Sequence, residues 1–144
     1  MNQINPHQLW ISHIGDSRDF QEVFDKGIQA IIQLAVEEQP IQPPRSLVFC
    51  RFPLLDGNGN DPGLLYLAIS SVAFLVKCRI PTLVCCWAGM SRSPAIVAAA
   101  LSLVKQANLE DCLKYVTEFH TVDISPGLWE DVCHVLEQDR KNSY

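Results

Sequence analysis

The stretch CWAGMSRS, Cys86 to Ser93, places a thiol, a glycine and a guanidinium within one short segment. Arg92 follows Cys86 by six positions, so five residues, Trp87 to Ser91, separate them. A loop of that length can curl its N–H groups around one tetrahedral dianion. Gly89 eases the tight curl, and Arg92 adds a two-pronged charged contact. The field that attracts such an anion also stabilises a thiolate at Cys86, which makes it a nucleophile at neutral pH. A second thiol, Cys85, stands beside it. On a strand the two side chains point to opposite faces, and counting six places from Cys85 reaches Ser91 rather than an arginine. The competing structural reading makes both thiols small apolar fillers at the end of a buried strand.

The segments around this stretch must hold it in place. TLVCCW (82–87) reads as a short apolar strand, and SPAIVAAALSLVKQA as a helix starting near Ser93 and Pro94. The loop therefore lies at a strand-to-helix junction. Ligands of open α/β sheets gather there, and a helix start offers free N–H groups. Upstream, LWISHIG (9–15) reads as a strand. A helix follows over 16–27, with Asp16 or Ser17 at its start and Gly27 at its end. IQAIIQLA (28–35) and SLVFCRF (46–52) are further strands, separated by the polar, proline-rich VEEQPIQPPR. Asp61 and Pro62 form a matched N-cap and first helical residue for a helix to about Cys78. Two more helices begin at Asn108 and Ser125. Strands alternating with helices, then a helical last third, predict a three-layer α/β fold. Its central sheet is mainly parallel, with four or five strands flanked by helices. No linker divides residues 1–144, so a single catalytic domain is expected.

The chain has 144 residues, 48% of them hydrophobic and 19% charged, which is the composition of one globular domain. Its net charge of −5 argues against nucleic acid as a partner. Cys50, Cys78, Cys85, Cys86, Cys112 and Cys133 show no C-x-x-C spacing, and the four histidines are scattered, so no metal site is expected. The start lacks a basic-then-apolar leader, and the longest apolar stretch, 63–76, is too short to span a bilayer. A monomeric cytoplasmic protein with reduced thiols and no membrane association is the expectation.

C-x5-R followed by serine at such a junction resembles the cysteine-dependent protein tyrosine phosphatases, most closely their small dual-specificity branch. The resemblance runs along nearly the whole chain, through GIQAIIQLA, FPLLDGNGND, CWAGMSRSPAI and ISP in the family's order. It implies hydrolysis of a phosphomonoester on protein, phosphotyrosine and also phosphoserine or phosphothreonine, with no cofactor. Cys86 would form a phosphocysteine. Arg92 and the amides of Trp87, Ala88, Gly89, Met90 and Ser91 would hold the phosphate. Ser93 would hydrogen-bond the cysteine sulfur as it leaves. The general acid and base, an aspartate on a mobile loop about thirty residues upstream in the family, would be Asp56. Asp61 is the rival acid, and helix capping accounts for it. The family carries histidine where this chain has Cys85, which bears on how strongly Cys86 is activated.

Other residues carry both a structural and a functional reading. Trp87 is expected to pack beneath the loop. Neither it nor Ala88 or Met90 is basic, unlike the residues of relatives acting on inositol phospholipids. Cys50 reads as core filler, with a resolving thiol for oxidised Cys86 as its functional alternative. Arg18, Arg45 and Arg51 read as solvated, with substrate steering as theirs. Ser125 and Pro126 read as a helix start. Three other activities remain to be weighed: a phosphopeptide-binding module with little turnover, a phosphatase for non-protein phosphate, and rhodanese-type sulfur transfer.

Overall fold

A computed structural model describes residues 1–142. In chain order its elements are β1 (Asn2–Gln3), β2 (Leu9–His13), α1 (Ile14–Ser17), α2 (Phe20–Asp25), β3 (Ala30–Ala35) and β4 (Val48–Leu54). There follow α3 (Pro62–Lys77), β5 (Thr82–Cys86), α4 (Arg92–Lys105), α5 (Leu109–Thr117) and α6 (Pro126–Asn142). The five strands form one sheet in the order β1-β2-β5-β3-β4. Only the β1–β2 pair is antiparallel. The predicted mainly parallel three-layer α/β fold is therefore what the chain adopts.

Both faces of the sheet are covered, and the strands alternate between them. Leu9, Ile11, Ile32, Leu34, Val84 and Cys86 face a large core shared with α3, α4, α5 and α6. Trp10, Ile31, Leu83 and Cys85 face a smaller core with Ile14, Val23, Ile28 and Ile41. The period of two along β5 thus sends the neighbouring thiols to opposite sides. Helix α4 is buried along every residue from Arg92 to Ser102. Its alanines at 95, 98, 99 and 100 let the sheet and three helices crowd around it. No helix of the described residues is long and apolar enough to cross a membrane.

Several element boundaries differ from the sequence expectation. The strand expected over 9–15 ends at His13, whose Nδ1 accepts from Gly15 N–H at 3.0 Å and starts α1. The single helix expected over 16–27 is two pieces. Asp19 interrupts it by capping α2, with its carboxylate accepting from Glu22 N–H at 3.2 Å. A capping aspartate is more stable outside a helix than within one. The strand expected over 46–52 is shifted to Val48–Leu54. Two residues of β1 are too few to leave any hydrophobic period, and the sequence reading missed them.

Asp61 performs the capping role: its Oδ2 accepts from Leu64 N–H at 2.9 Å, and Pro62 opens α3. Asp61→Ala is expected to lose about 1 kcal/mol of stability and about 4 °C of melting temperature, measured by circular dichroism. An unchanged midpoint would show that the cap contributes nothing.

Candidate active site

Strand β5 ends at Cys86 and α4 begins at Arg92, so the five intervening residues must reverse direction tightly. Gly89 makes this possible with φ of +78°. A Cβ there would lie 2.9 Å from the carbonyl of Ser12 in β2, so both conformation and space require glycine. The loop's carbonyls find partners outside it. Trp87 O accepts from Ile14 N–H at 3.3 Å, and Met90 O accepts from Asp123 N–H at 2.8 Å. Gly89 O accepts from His120 Nε2 at 2.5 Å. Among the described residues no group accepts from the N–H groups of residues 87 to 91. They remain available to an anion at the start of α4, where the helix dipole also favours negative charge.

Arg92 is 3% exposed and is spent on one side only. Its Nη1 donates to Glu37 Oε1 at 2.5 Å and to Leu54 O at 2.9 Å, and its Nη2 donates to Glu37 Oε2 at 2.7 Å. A guanidinium has five N–H groups. The remaining two, on Nε and Nη2, share one edge, and Nε is buried without a partner among the described residues. Burial opposes the Arg92 charge, but hydrogen bonds and attraction from Glu37 outweigh it, and the pKa is raised. The same hydrogen bonds hold the Glu37 carboxyl below its usual range. Ser93 Oγ is likewise buried without a partner among the described residues, on the first turn of α4.

Asp56, on the loop after β4, lines the same pocket of about 410 Å³ as Cys86, Arg92 and Glu37. Its Oδ1 accepts from Ser91 Oγ at 2.6 Å and from Ser125 Oγ at 2.9 Å. Ser125 N–H in turn donates to Ser91 Oγ at 2.9 Å. Ser125, read as a helix start, thus spends its hydroxyl on Asp56. The loop carrying Asp56 is tied at several points. Asn60 bonds both the N–H and the carbonyl of Leu55, and Gly59 N–H reaches Asp131.

A tethered carboxylate, an arginine edge and a thiol thus line one pocket beside free amides. No family model matches the sequence. The frog (Xenopus tropicalis) dual specificity protein phosphatase 22 is 29% identical over 119 residues, covering 81% of this chain and 54% of that protein. The chain thus spans about half the length of the curated relative it matches. Human DUSP28 superposes with a TM-score of 0.86 at 19% identity, over 99% of this chain and 100% of that one. The human tyrosine phosphatase-like serine/threonine/tyrosine-interacting protein superposes at 0.80 and 18% identity, over 99% and 98%. The chain therefore has the fold of the small dual-specificity phosphatases.

Within this fold Trp87, Arg51 and Arg18 depart from the sequence expectation, while Cys50 packs against the core as expected. Trp87 is 58% exposed at the pocket rim rather than packed beneath the loop. Both faces of β5 are already filled, and the indole is left outside. Cys50 pairs in register with Ile32, which pairs with Val84 on the next strand. It therefore lies two strands from β5, roughly 10 Å sideways, and further still from Cys86 along the sheet. A disulfide needs Cα atoms within about 7 Å, so Cys50 is not a resolving thiol in this fold. Arg51 and Arg18 are also committed. Arg51 donates to the carbonyls of Val36 and Glu38, and Arg18 pairs with Glu38 at 3.2 Å. Both brace the segment carrying Glu37. Cys85 lies in the smaller core, where its thiol donates to Ile32 O at 3.5 Å. It touches the sheet rather than the cup. A larger groove of about 890 Å³ between α3, α4 and α6 contains neither Cys86 nor Arg92.

Two outcomes follow from this geometry. Gly89→Ala is expected to weaken orthovanadate binding about tenfold or more with the fold retained, as read by titration calorimetry. Burial pushes the Cys85 thiol up to about 12 from 9.0. Between those values the unfolded chain releases this proton while the native one keeps it. Native stability therefore falls as pH rises through that window. Urea denaturation across it should show a shallower fall for Cys85→Val than for the parent.

Proposed function

We propose that the chain is a phosphomonoester hydrolase acting on phosphoprotein, with phosphotyrosine as the first substrate. The observation that carries this reading is the unpartnered Nε and Nη2 edge of buried Arg92, opening on the pocket of Cys86 and Asp56. The edge matches two oxygens of a phosphate in fork geometry. The free amides of residues 87 to 91 supply donors for the equatorial oxygens as charge redistributes.

The reaction has two steps. The Cys86 thiolate attacks phosphorus in line, forming an S–P bond as the P–O bond to the leaving group breaks. Asp56, protonated, gives its proton to the departing oxygen. Water then attacks the phosphocysteine, Asp56 takes its proton, and the S–P bond breaks to return phosphate and thiolate. Ser93 O–H donates to the sulfur as it leaves. All these groups come from one chain, so we read the working unit as a monomer. The chemistry needs Cys86 reduced, which fits a cytoplasmic location.

With chelator present, the protein is expected to hydrolyse p-nitrophenyl phosphate, and Cys86→Ser to abolish this. On a phosphotyrosine peptide, Asp56→Asn should lower kcat by about 10²-fold or more, while Asp61→Asn retains most of it. Retained turnover in Cys86→Ser together with loss in Cys85→Ser would reassign the nucleophile. Thiosulfate turnover in place of phosphate release would move the chain to sulfur transfer.

A further inference from the structure

The rim of the Cys86 pocket is short of positive charge. Its lining side chains include the carboxylates of Glu37, Asp56 and Asp123, against one guanidinium, Arg92. That guanidinium is already paired through two nitrogens with Glu37, whose ionised form it stabilises. A phosphate dianion seated on the free Nε edge of Arg92 must therefore share its only cation with a carboxylate. The remaining stabilisation comes from amide dipoles and the start of α4, equivalent to roughly half a charge. The occupied site stays negative, and the deficit faces solvent at the rim. There Asp123 is exposed, Trp87 is 58% exposed and Met90 is 38% exposed. An open indole face attracts a cation, and more strongly an arginine or lysine that also meets a carboxylate.

We propose that the substrate itself supplies the missing cation. The site selects phosphotyrosine flanked by Lys or Arg, with the basic side chain seated between Trp87 and Asp123. A second phosphate, an acidic flank or a multiply phosphorylated inositol lipid is disfavoured, because each adds negative charge where nothing neutralises it. This specificity rests on the phosphatase reading above, and Trp87 and Asp123 are its determinants. They act on the flank of the substrate rather than on the bond that breaks.

The test compares four phosphotyrosine peptides of equal length, flanked by two lysines, two alanines, two glutamates or a second phosphotyrosine. Steady-state kcat/KM should fall in that order, by about tenfold from lysine to glutamate, and the spread should narrow as salt rises. Trp87→Ala and Asp123→Asn should each shrink the lysine-to-glutamate ratio about two- to fivefold, and Asp123→Lys should reverse it. Equal rates across the peptides, or preference for the doubly phosphorylated peptide or for phosphatidylinositol bisphosphate vesicles, would overturn the proposal. Turnover of p-nitrophenyl phosphate in the same buffer tests the hydrolase reading separately. If no ester turns over, that reading fails. The peptide order is then read from fluorescence-anisotropy affinities on the Cys86→Ser protein, where the same ordering supports the charge selection and its absence sinks it.

Discussion

The structure around Cys86 depends on where the carbonyls of one short loop go. A buried carbonyl needs a donor. Those of Trp87, Gly89 and Met90 find theirs in three separate segments: the start of α1, His120 after α5, and Asp123 before α6. With the carbonyls satisfied outside, the N–H groups are left for the cup. A carbonyl oxygen only accepts, so His120 must carry its proton on Nε2, and its Nδ1 is then free to accept from Asn2 Nδ2 at 2.9 Å. The two-residue strand β1 thus anchors a side chain that holds the loop. An element with almost no hydrophobic contribution has a positioning role at the chemistry.

A second chain of support fixes the charge. Arg92 is oriented by Glu37 and by Leu54 O. Glu37 lies on the connection after β3, which carries no helix to stiffen it. Arg51 grips that connection through two carbonyls, and Arg18 holds Glu38 beside it. The bidentate Glu37 contact prevents Arg92 from turning its free edge away from the pocket. It also divides the positive charge available there, so orientation and attraction are traded against each other in one ion pair. The exposed indole and carboxylate at the rim then matter more than they would beside an uncommitted arginine.

How much of this could be read from the sequence follows from the range of each interaction. Cys86, Gly89, Arg92 and the junction they occupy are local in sequence, and so are the Asp61 cap and the alternation that separates Cys85 from Cys86. Each leaves a pattern within a few residues. Asp56 was placed by resemblance, because a turn aspartate before glycine looks the same whether or not it reaches a distant pocket. Glu37, His120 and Ser125 escaped as partners of the site. Their contacts cross 55, 31 and 69 residues, and nothing adjacent distinguishes Glu37 from Glu38 or marks His120 as a donor. The exposure of Trp87 escaped for another reason. A large aromatic beside a buried strand looks like core until the packing on both faces is known.

The hydroxyl of Ser91 links the two halves of the site. It belongs to the loop between β5 and α4, it donates to Asp56, and it accepts from the backbone of Ser125. A change in the curl of the loop therefore moves Asp56 as well. The same contacts distinguish the two oxygens of Asp56. Oδ1 receives both serine hydroxyls, so a proton on that atom would compete with two donors. Oδ2 has no such competition, and protonation there leaves both hydroxyl contacts intact. In the proposed reaction the acid proton would sit on Oδ2, while Oδ1 keeps the carboxyl in register with the loop. The loop after β5 and the carboxyl of Asp56 are in this way set by one hydrogen-bonded unit, and neither can be repositioned without the other.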